Sequence, residues 1–406
     1  MSSESLPVRK LVFAAFLAAA SFGSFWGVWG ASVPRLRMQA DVDDGQLGLA
    51  LLFIGAGALP AMLVTGRALD RWGLRFAVAA IITLGLAGLG VALTAHGFVA
   101  LCVGLAVVGL ASGATDVAMN SIAGRAEQAS GSAIIIRAGG VFSSFVVLAS
   151  ITTGLSSWIG APVFTPFLVV AVLSLVASAS VLHSLAPLRP RTATRKAPRA
   201  SGPSSDLGLR LRYTPLLLVG ILGALAFASE NAHQSWGAVF LEDQLDAGAG
   251  FSAIGPAVFA AVVAVTRFAL GRVRQGNERP ILIVGSAAAA SGALVLAASP
   301  DVPIAVLGLI VAAAGTAALY PILLSLVSRN VDEAYRGRAT ALVTTVSYIG
   351  FLLGPVYVGL WSQAGGLRGA MVAVAALGII LSVLSIPLLS LSGYARPPKR
   401  SVRLRN

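Results

Sequence analysis

Long apolar stretches, each closed by a charged or Pro/Gly-rich break, set the pattern of this chain. Twelve of them reach the roughly 20 residues that a bilayer core of about 30 Å requires at about 1.5 Å per residue. The first six cover 11–33, 46–65, 74–94, 97–120, 132–158 and 162–185. The other six cover 214–240, 252–271, 280–298, 302–328, 339–361 and 369–391. The runs are continuous rather than alternating at every second position, so the pattern predicts helices and not the strands of a barrel.

The pattern breaks for longest at 187–212, where Pro190, Pro198 and Pro203 accompany seven Lys or Arg residues. Such a segment is expected to be a flexible basic linker. It divides the chain into an N-terminal six-helix bundle (1–186), the linker (187–212) and a C-terminal six-helix bundle with a basic tail (213–406). A repeat connects the two: Gly66-Arg67 after the second run aligns with Gly271-Arg272 after the eighth, although Gln275 and Gly276 stand where the first copy has Asp70 and Arg71. The expected fold class is an all-α integral membrane protein of twelve transmembrane helices in two bundles related by pseudo-symmetry.

Composition agrees. With 57% hydrophobic and 11% charged residues over 406 positions, the chain is too apolar for a soluble globule, in which about a quarter of residues are charged. Most Lys and Arg fall in breaks that share one side of the predicted topology, whereas Arg35, Arg37 and Arg368 fall opposite. The positive-inside rule then places both termini in the cytoplasm, as an even number of helices requires, and locates the protein in the bacterial cytoplasmic membrane. The net charge of +13 is thereby accounted for without nucleic acid, since no basic stripe with interleaved aromatics occurs. The first run is longer than a signal-peptide core and reads as a retained helix. The lone cysteine, Cys102, has no partner for an intramolecular disulfide.

Between the second and third runs lies the charged bridge Gly66-Arg67-Ala68-Leu69-Asp70-Arg71-Trp72-Gly73-Leu74-Arg75. Gly66 is expected to allow two helices to approach closely. Asp70 offers a carboxylate to Arg71, to Arg125 at the end of the fourth helix, or to the amides that open the eleventh, near Arg336-Gly337-Arg338. The alternative is that these charges merely cap helices. The pattern Gly-x-x-x-Asp-Arg-x-Gly-x-Arg resembles the signature loop of the major facilitator superfamily of secondary transporters. The resemblance implies a cytoplasmic gate built from Gly66, Asp70, Arg71, Arg75, Arg125 and Arg338, which locks the outward-open state and releases in the inward-open one. The stretches 116–120, 230–236 and 320–355 further resemble a bacterial branch related to YbjJ-type and fucose-permease-like transporters, though Ser235 replaces an Asp common in that branch.

Ionisable groups inside the apolar runs are costly there and are candidates for function. Asp116 lies nine residues from Arg125, about 13 Å along the helix, with Asn120 one turn away on the same face. Arg137 is expected at similar depth, as an ion-pair partner of Asp116, an anion site, or a side chain snorkelling to the interface. The seventh run carries Glu230, Asn231, His233 and Gln234, and a carboxylate beside a His in a partly dry cavity suits proton binding. A polar helix end facing outer water is the competing reading. Phe22, Phe25, Trp26 and Trp29 form a stripe on the first helix that fits cavity lining, interface anchoring or core packing. Arg267 also falls within a run. In the eleventh helix, Gly354 and Pro355 suggest a hinge.

The expected function is secondary active transport of a small organic solute by alternating access, coupled to protons, in a monomer that needs a lipid bilayer and no cofactor or metal. A uniporter or sugar importer without proton coupling is the alternative, as is a drug or metabolite exporter, although the Arg-x-x-Gln-Gly and Gly-Pro motifs that drug antiporters carry in helices 4 and 5 are absent. An enzyme is not expected. The chain has no His-Glu-x-x-His, Gly-x-Ser-x-Gly or Gly-x-x-x-x-Gly-Lys-Ser/Thr motif.

Overall fold

A computed structural model of the chain describes residues 5–131, 134–185, 213–270, 278–331 and 333–394. Among them every regular element is a helix. The first six are α1 (Ser5–Ala40), α2 (Asp44–Trp72), α3 (Leu74–Thr94), α4 (Phe98–Ser130), α5 (Ile134–Trp158) and α6 (Phe164–Leu185). After the linker come α7 (Tyr213–Val239) with a π-helical turn at Phe240–Gln244, the short α8 (Gly248–Phe251), α9 (Ile254–Leu270), α10 (Glu278–Ala298), α11 (Val302–Thr316), α12 (Leu319–Asn330) and α13 (Glu333–Ser392). The expected linker at 187–212 and the second copy of the loop around Gly271 lie outside the described residues.

Among the described residues ten helices are long and apolar enough to span a membrane, and Ile254–Ala269 is a shorter apolar one. One of the ten, Ala339–Ser392, runs for 54 residues, about 80 Å of helix, far more than a single crossing needs. It breaks at Gly365 and Gly366, where Gly366 takes φ 68°, and the chain reverses there. Pro355 leaves the backbone dihedrals helical, so the departure from helix sits ten residues beyond the expected hinge at Gly354 and Pro355. The tenth run is also divided, at Ala317 and Ala318 between α11 and α12. With these two adjustments, the described residues of each apolar run lie mostly on helical backbone.

Helix ends explain the sharp turns. Asp43 caps α2 through a reciprocal pair, accepting from the Gln46 amide at 2.8 Å while the Gln46 side chain accepts from the Asp43 amide at 3.2 Å. Asp301 caps α11 at the Ile304 amide, 3.0 Å away. Gly73, at φ 63°, turns α2 directly into α3.

Packing repeats across the linker. In the first group α1 lies on α5, α2 on α4 and α3 on α6. In the second, α7 lies on the first arm of α13, α9 on α11, and α10 on the second arm of α13. Between groups, α2 meets α13 and α5 meets α9, again as equivalent pairs. The sequence repeat is therefore matched by the packing.

Candidate functional site

The two faces of the bundle differ. On the face that carries the α1–α2 turn, here called the Asp44 face, the groups touch closely. Gly48 of α2 lies against α13, where an added Cβ would come within 2.8 Å of the Pro355 carbonyl and 3.1 Å of the Gly359 Cα. Gly154 of α5 lies against Gly250 of α8, and a Cβ on it would sit 2.8 Å from the Ala253 side chain. Charged groups cross the same seam. Arg37 of α1 pairs with Asp44 at 3.0 Å and with Asp243 of the π-helical turn, and Gln363 Nε2 donates to Asp43 at 3.1 Å.

Toward the Gly73 face contacts between the groups thin out, although a Cβ on Gly140 of α5 would still stand 3.4 Å from the Phe268 ring of α9. A buried apolar core runs from α1–α6 into Trp236, Phe240, Phe259 and Leu309 of the second group. Leu216, Leu222, Leu323 and Val343 instead form a separate core confined to the second group. Gly66, Gly124 and Gly139 have nothing within 4 Å of where a Cβ would stand. The expectation that Gly66 allows close helix contact is therefore not met in this conformation. Asp70 is exposed and forms no ion pair with any described residue, Arg71 and Arg125 included. Arg71 instead lies over the Trp72 ring at 5.5 Å, Arg75 is exposed, and the Arg338 side chain lies outside the described residues.

Between the groups is a cavity of about 200 Å³. Trp26, Trp29, Phe142 and Phe351 supply apolar walls, and Ser143, Asn231, Gln234, Ser235 and Arg267 supply polar ones. Trp26 is held edge-on to Phe25 and Phe22, with centroids 5.6 and 6.4 Å away. The aromatic stripe of α1 therefore splits by role: Trp26 and Trp29 reach the cavity, whereas Phe25 is buried against Gly88.

Most of the α7 cluster is buried, with Glu230 and Asn231 each 8% exposed and His233 1%, so this is no helix end in outer water. Its wiring differs from the expected carboxylate–histidine couple. Glu230 Oε1 accepts from Arg267 Nη2 of α9 at 2.9 Å, and Arg267 Nε donates to the Ala317 carbonyl at 3.0 Å, at the break between α11 and α12. His233 Nδ1 meets the Ser229 carbonyl at 2.7 Å, its ring stacks 6.0 Å from Phe259, and its Nε2 is buried without a partner. Asn231 donates to the Phe351 carbonyl at 2.7 Å and accepts from Ser235 at 3.1 Å, tying α7 to α13. Gln234 faces the cavity exposed.

Asp116 stands on α4, in the first group, and accepts from Asn120 Nδ2 at 3.1 Å. It makes no ion pair with Arg137, which is exposed on α5 one turn before Gly140, so the expected Asp116–Arg137 bridge is absent. Tyr348 of α13 packs on Phe227 and Phe351, with centroids 5.4 and 5.7 Å apart. Arg267 and Phe351 line the cavity, and the sequence pattern assigned neither a role. For Arg267 a signal was present: a lone arginine within an apolar run needs a partner, and Glu230 is the carboxylate of the neighbouring run. Among the described residues no cluster of His, Cys, Asp or Glu fits a metal ion.

The family model for the Major Facilitator Superfamily matches residues 11–290 and 273–405. An uncharacterized MFS-type transporter of Yersinia pestis is 28% identical over 380 residues, covering 92% of this chain and 93% of that protein. Among solved structures, a variant of the nucleoside transporter NupG aligns at TM-score 0.76 with 16% identity, covering 94% of this chain and 99% of that one. The inward-open xylose transporter XylE of E. coli aligns at TM-score 0.73 with 13% identity, covering 94% and 96%. With a family match over almost the whole chain and a fold shared with these transporters, this protein belongs to the Major Facilitator Superfamily and is an integral membrane transporter, not an enzyme.

Proposed function

We propose that the chain moves a small organic solute across the bacterial cytoplasmic membrane by alternating access, coupled to protons, with both termini in the cytoplasm. The observation that carries this reading is the one-sided closure of the cleft. Contacts that join the groups gather on the Asp44 face, and the cavity lies between the groups. The positive-inside rule makes the Gly73 face cytoplasmic, so this conformation is inward-open. That Asp70 has no ion-pair partner among the described residues fits that state, in which a cytoplasmic gate must be released.

Two carboxylates, Asp116 and Glu230, are our candidates for exchanging a proton with the cleft. Asp116 has no cation beside it among the described residues, and Glu230 has a single one, Arg267. Groups of this kind inside a membrane mark proton and substrate paths. A cavity smaller than the roughly 300 Å³ at which ligand pockets usually begin suits a small cargo. That solved structures of like fold transport a nucleoside or xylose supports a small organic solute. The test is solute flux into proteoliposomes with and without an imposed pH gradient. Accumulation that follows the gradient supports coupling, and accumulation indifferent to it removes protons from the cycle.

A further inference from the structure

We propose that the cargo is a small monocarboxylate with an apolar body, that Arg267 takes its carboxylate, and that Glu230 takes a proton in the same event. This rests on the transport reading above and concerns the chemistry of the same cavity.

The first ground is the balance of free donors and acceptors on the cavity wall. Asn231 gives one amide hydrogen to the Phe351 carbonyl and accepts the Ser235 hydroxyl hydrogen, which leaves one amide hydrogen on Asn231 and none on Ser235. Arg267 spends Nε on Ala317 and one hydrogen of Nη2 on Glu230. A guanidinium has five N–H donors and no acceptor, so three remain, on a side chain that is 47% exposed. Gln234 and Ser143 add an amide and a hydroxyl that no described residue engages. The wall is therefore donor-rich. A neutral sugar or nucleoside can use the oxygens of Gln234, Ser143 and Ser235 but gains no charge pairing with the guanidinium, whereas a carboxylate brings acceptors only and suits a planar donor fork.

The second ground is shape. Trp26, Trp29, Phe142 and Phe351 form the remaining walls, which an apolar or aromatic body fills. The third is charge. With Glu230 ionised, the pair it forms with Arg267 is neutral, and an entering anion meets a nearby carboxylate. With Glu230 protonated, Arg267 is left cationic in a confined site that an anion neutralises. Anion and proton thus favour each other's binding, and the loaded site carries no more charge than the empty one.

No other ionisable group stands on Glu230 in the same way. Arg267 is the only one on α9, α11 has none, and α1 has none between Lys10 and Arg35. Tyr320 of α12 bonds Thr344, and Tyr348 of α13 packs on Phe227 and Phe351. His233, on α7 itself, points to Ser229 and Phe259.

The experiment is titration calorimetry on the purified full-length protein with benzoate, phenylacetate and their neutral amides, alongside glucose and uridine. At pH 5.5 the acids remain ionised, since carboxyls of this kind titrate near about 4. At least one acid is expected to bind about thirtyfold more tightly than its amide, with one proton taken up per anion and affinity falling about tenfold per pH unit toward pH 8. Glu230→Gln is expected to retain its pH 5.5 affinity at pH 8. Arg267→Gln, shown to be folded by its melting curve, is expected to lose about thirtyfold for the acid and little for the amide, with partial recovery in Arg267→Lys. Binding of the amide as tightly as the acid overturns the proposal, as does a pH dependence that disappears in Asp116→Asn but persists in Glu230→Gln. If glucose or uridine binds in a Trp26-dependent way and no acid does, the cavity reading survives and the carboxylate falls. If no probe of either kind binds, both fall.

Discussion

Arg37 at the end of α1 is ion-paired with Asp243 beyond α7, so a single side chain ties the first group of helices to the second on the Asp44 face. The same guanidinium also holds Asp44, 3.0 Å away. Side chains between 18% and 32% exposed share their charge with water, so the clasp is worth about 0.2–1 kcal/mol.

Removing it should bias the cycle without unfolding the protein. Asp243→Asn is expected to raise the population open on the Asp44 face by up to about fivefold. The readout is maleimide labelling from that face of a cysteine placed at Gln234, in a Cys102→Ser background. Unchanged labelling would show that the pair is decorative.

Backbone packing outweighs the ion pair at the same seam. A Cβ on Gly359 would stand 2.7 Å from the Asp44 carbonyl, and both atoms belong to helix backbone. Gly359→Val is expected to cost the closed form about 2 kcal/mol, roughly thirtyfold in population, and to slow transport through failure to seal. Wild-type turnover in this variant would mean that the seam is looser than the contact implies.

Asp116→Asn is expected to abolish uptake driven by a pH gradient while the melting temperature stays near that of the parent. The carboxylate accepts from Asn120 and has no described cation to leave stranded, so its loss is mild for folding. Normal gradient-driven uptake in the variant refutes the assignment.

For the loop at the Gly73 face, Asp70→Asn is expected to lower turnover with little change in substrate affinity. Among the described residues Asp70 has no ion-pair partner, so its contribution is expected to belong to the opposite state and to the rate of reaching it. A changed dissociation constant with unchanged turnover would place Asp70 in binding instead.

Much of the architecture is legible in the sequence because a bilayer leaves the backbone few options. Apolar runs at 46–65 and 74–94 must be helical, since unpaired amides have no water to turn to, and Gly73 between them has to supply the reversal. The break in α13 is less legible. Pro355 is the obvious place to bend, yet a helix flanked by packed neighbours absorbs a proline without leaving helical dihedrals, and the reversal falls to Gly365 and Gly366.

The site divides along the same line. That Asp116, Glu230 and Trp26 matter can be argued from where polar and aromatic residues interrupt apolar helices. That Glu230 meets Arg267 and not His233 cannot, because spacing along one helix reports only which residues share a face.

The sequence by itself determined that this is a helical membrane protein with a repeated plan, because hydropathy and charge placement act locally and add along the chain. Only the tertiary structure decided which carboxylate has a cation, which aromatic rings line the cavity and which face is sealed. Those are distances between side chains on different helices, set by how the two groups pack, and no local pattern encodes them.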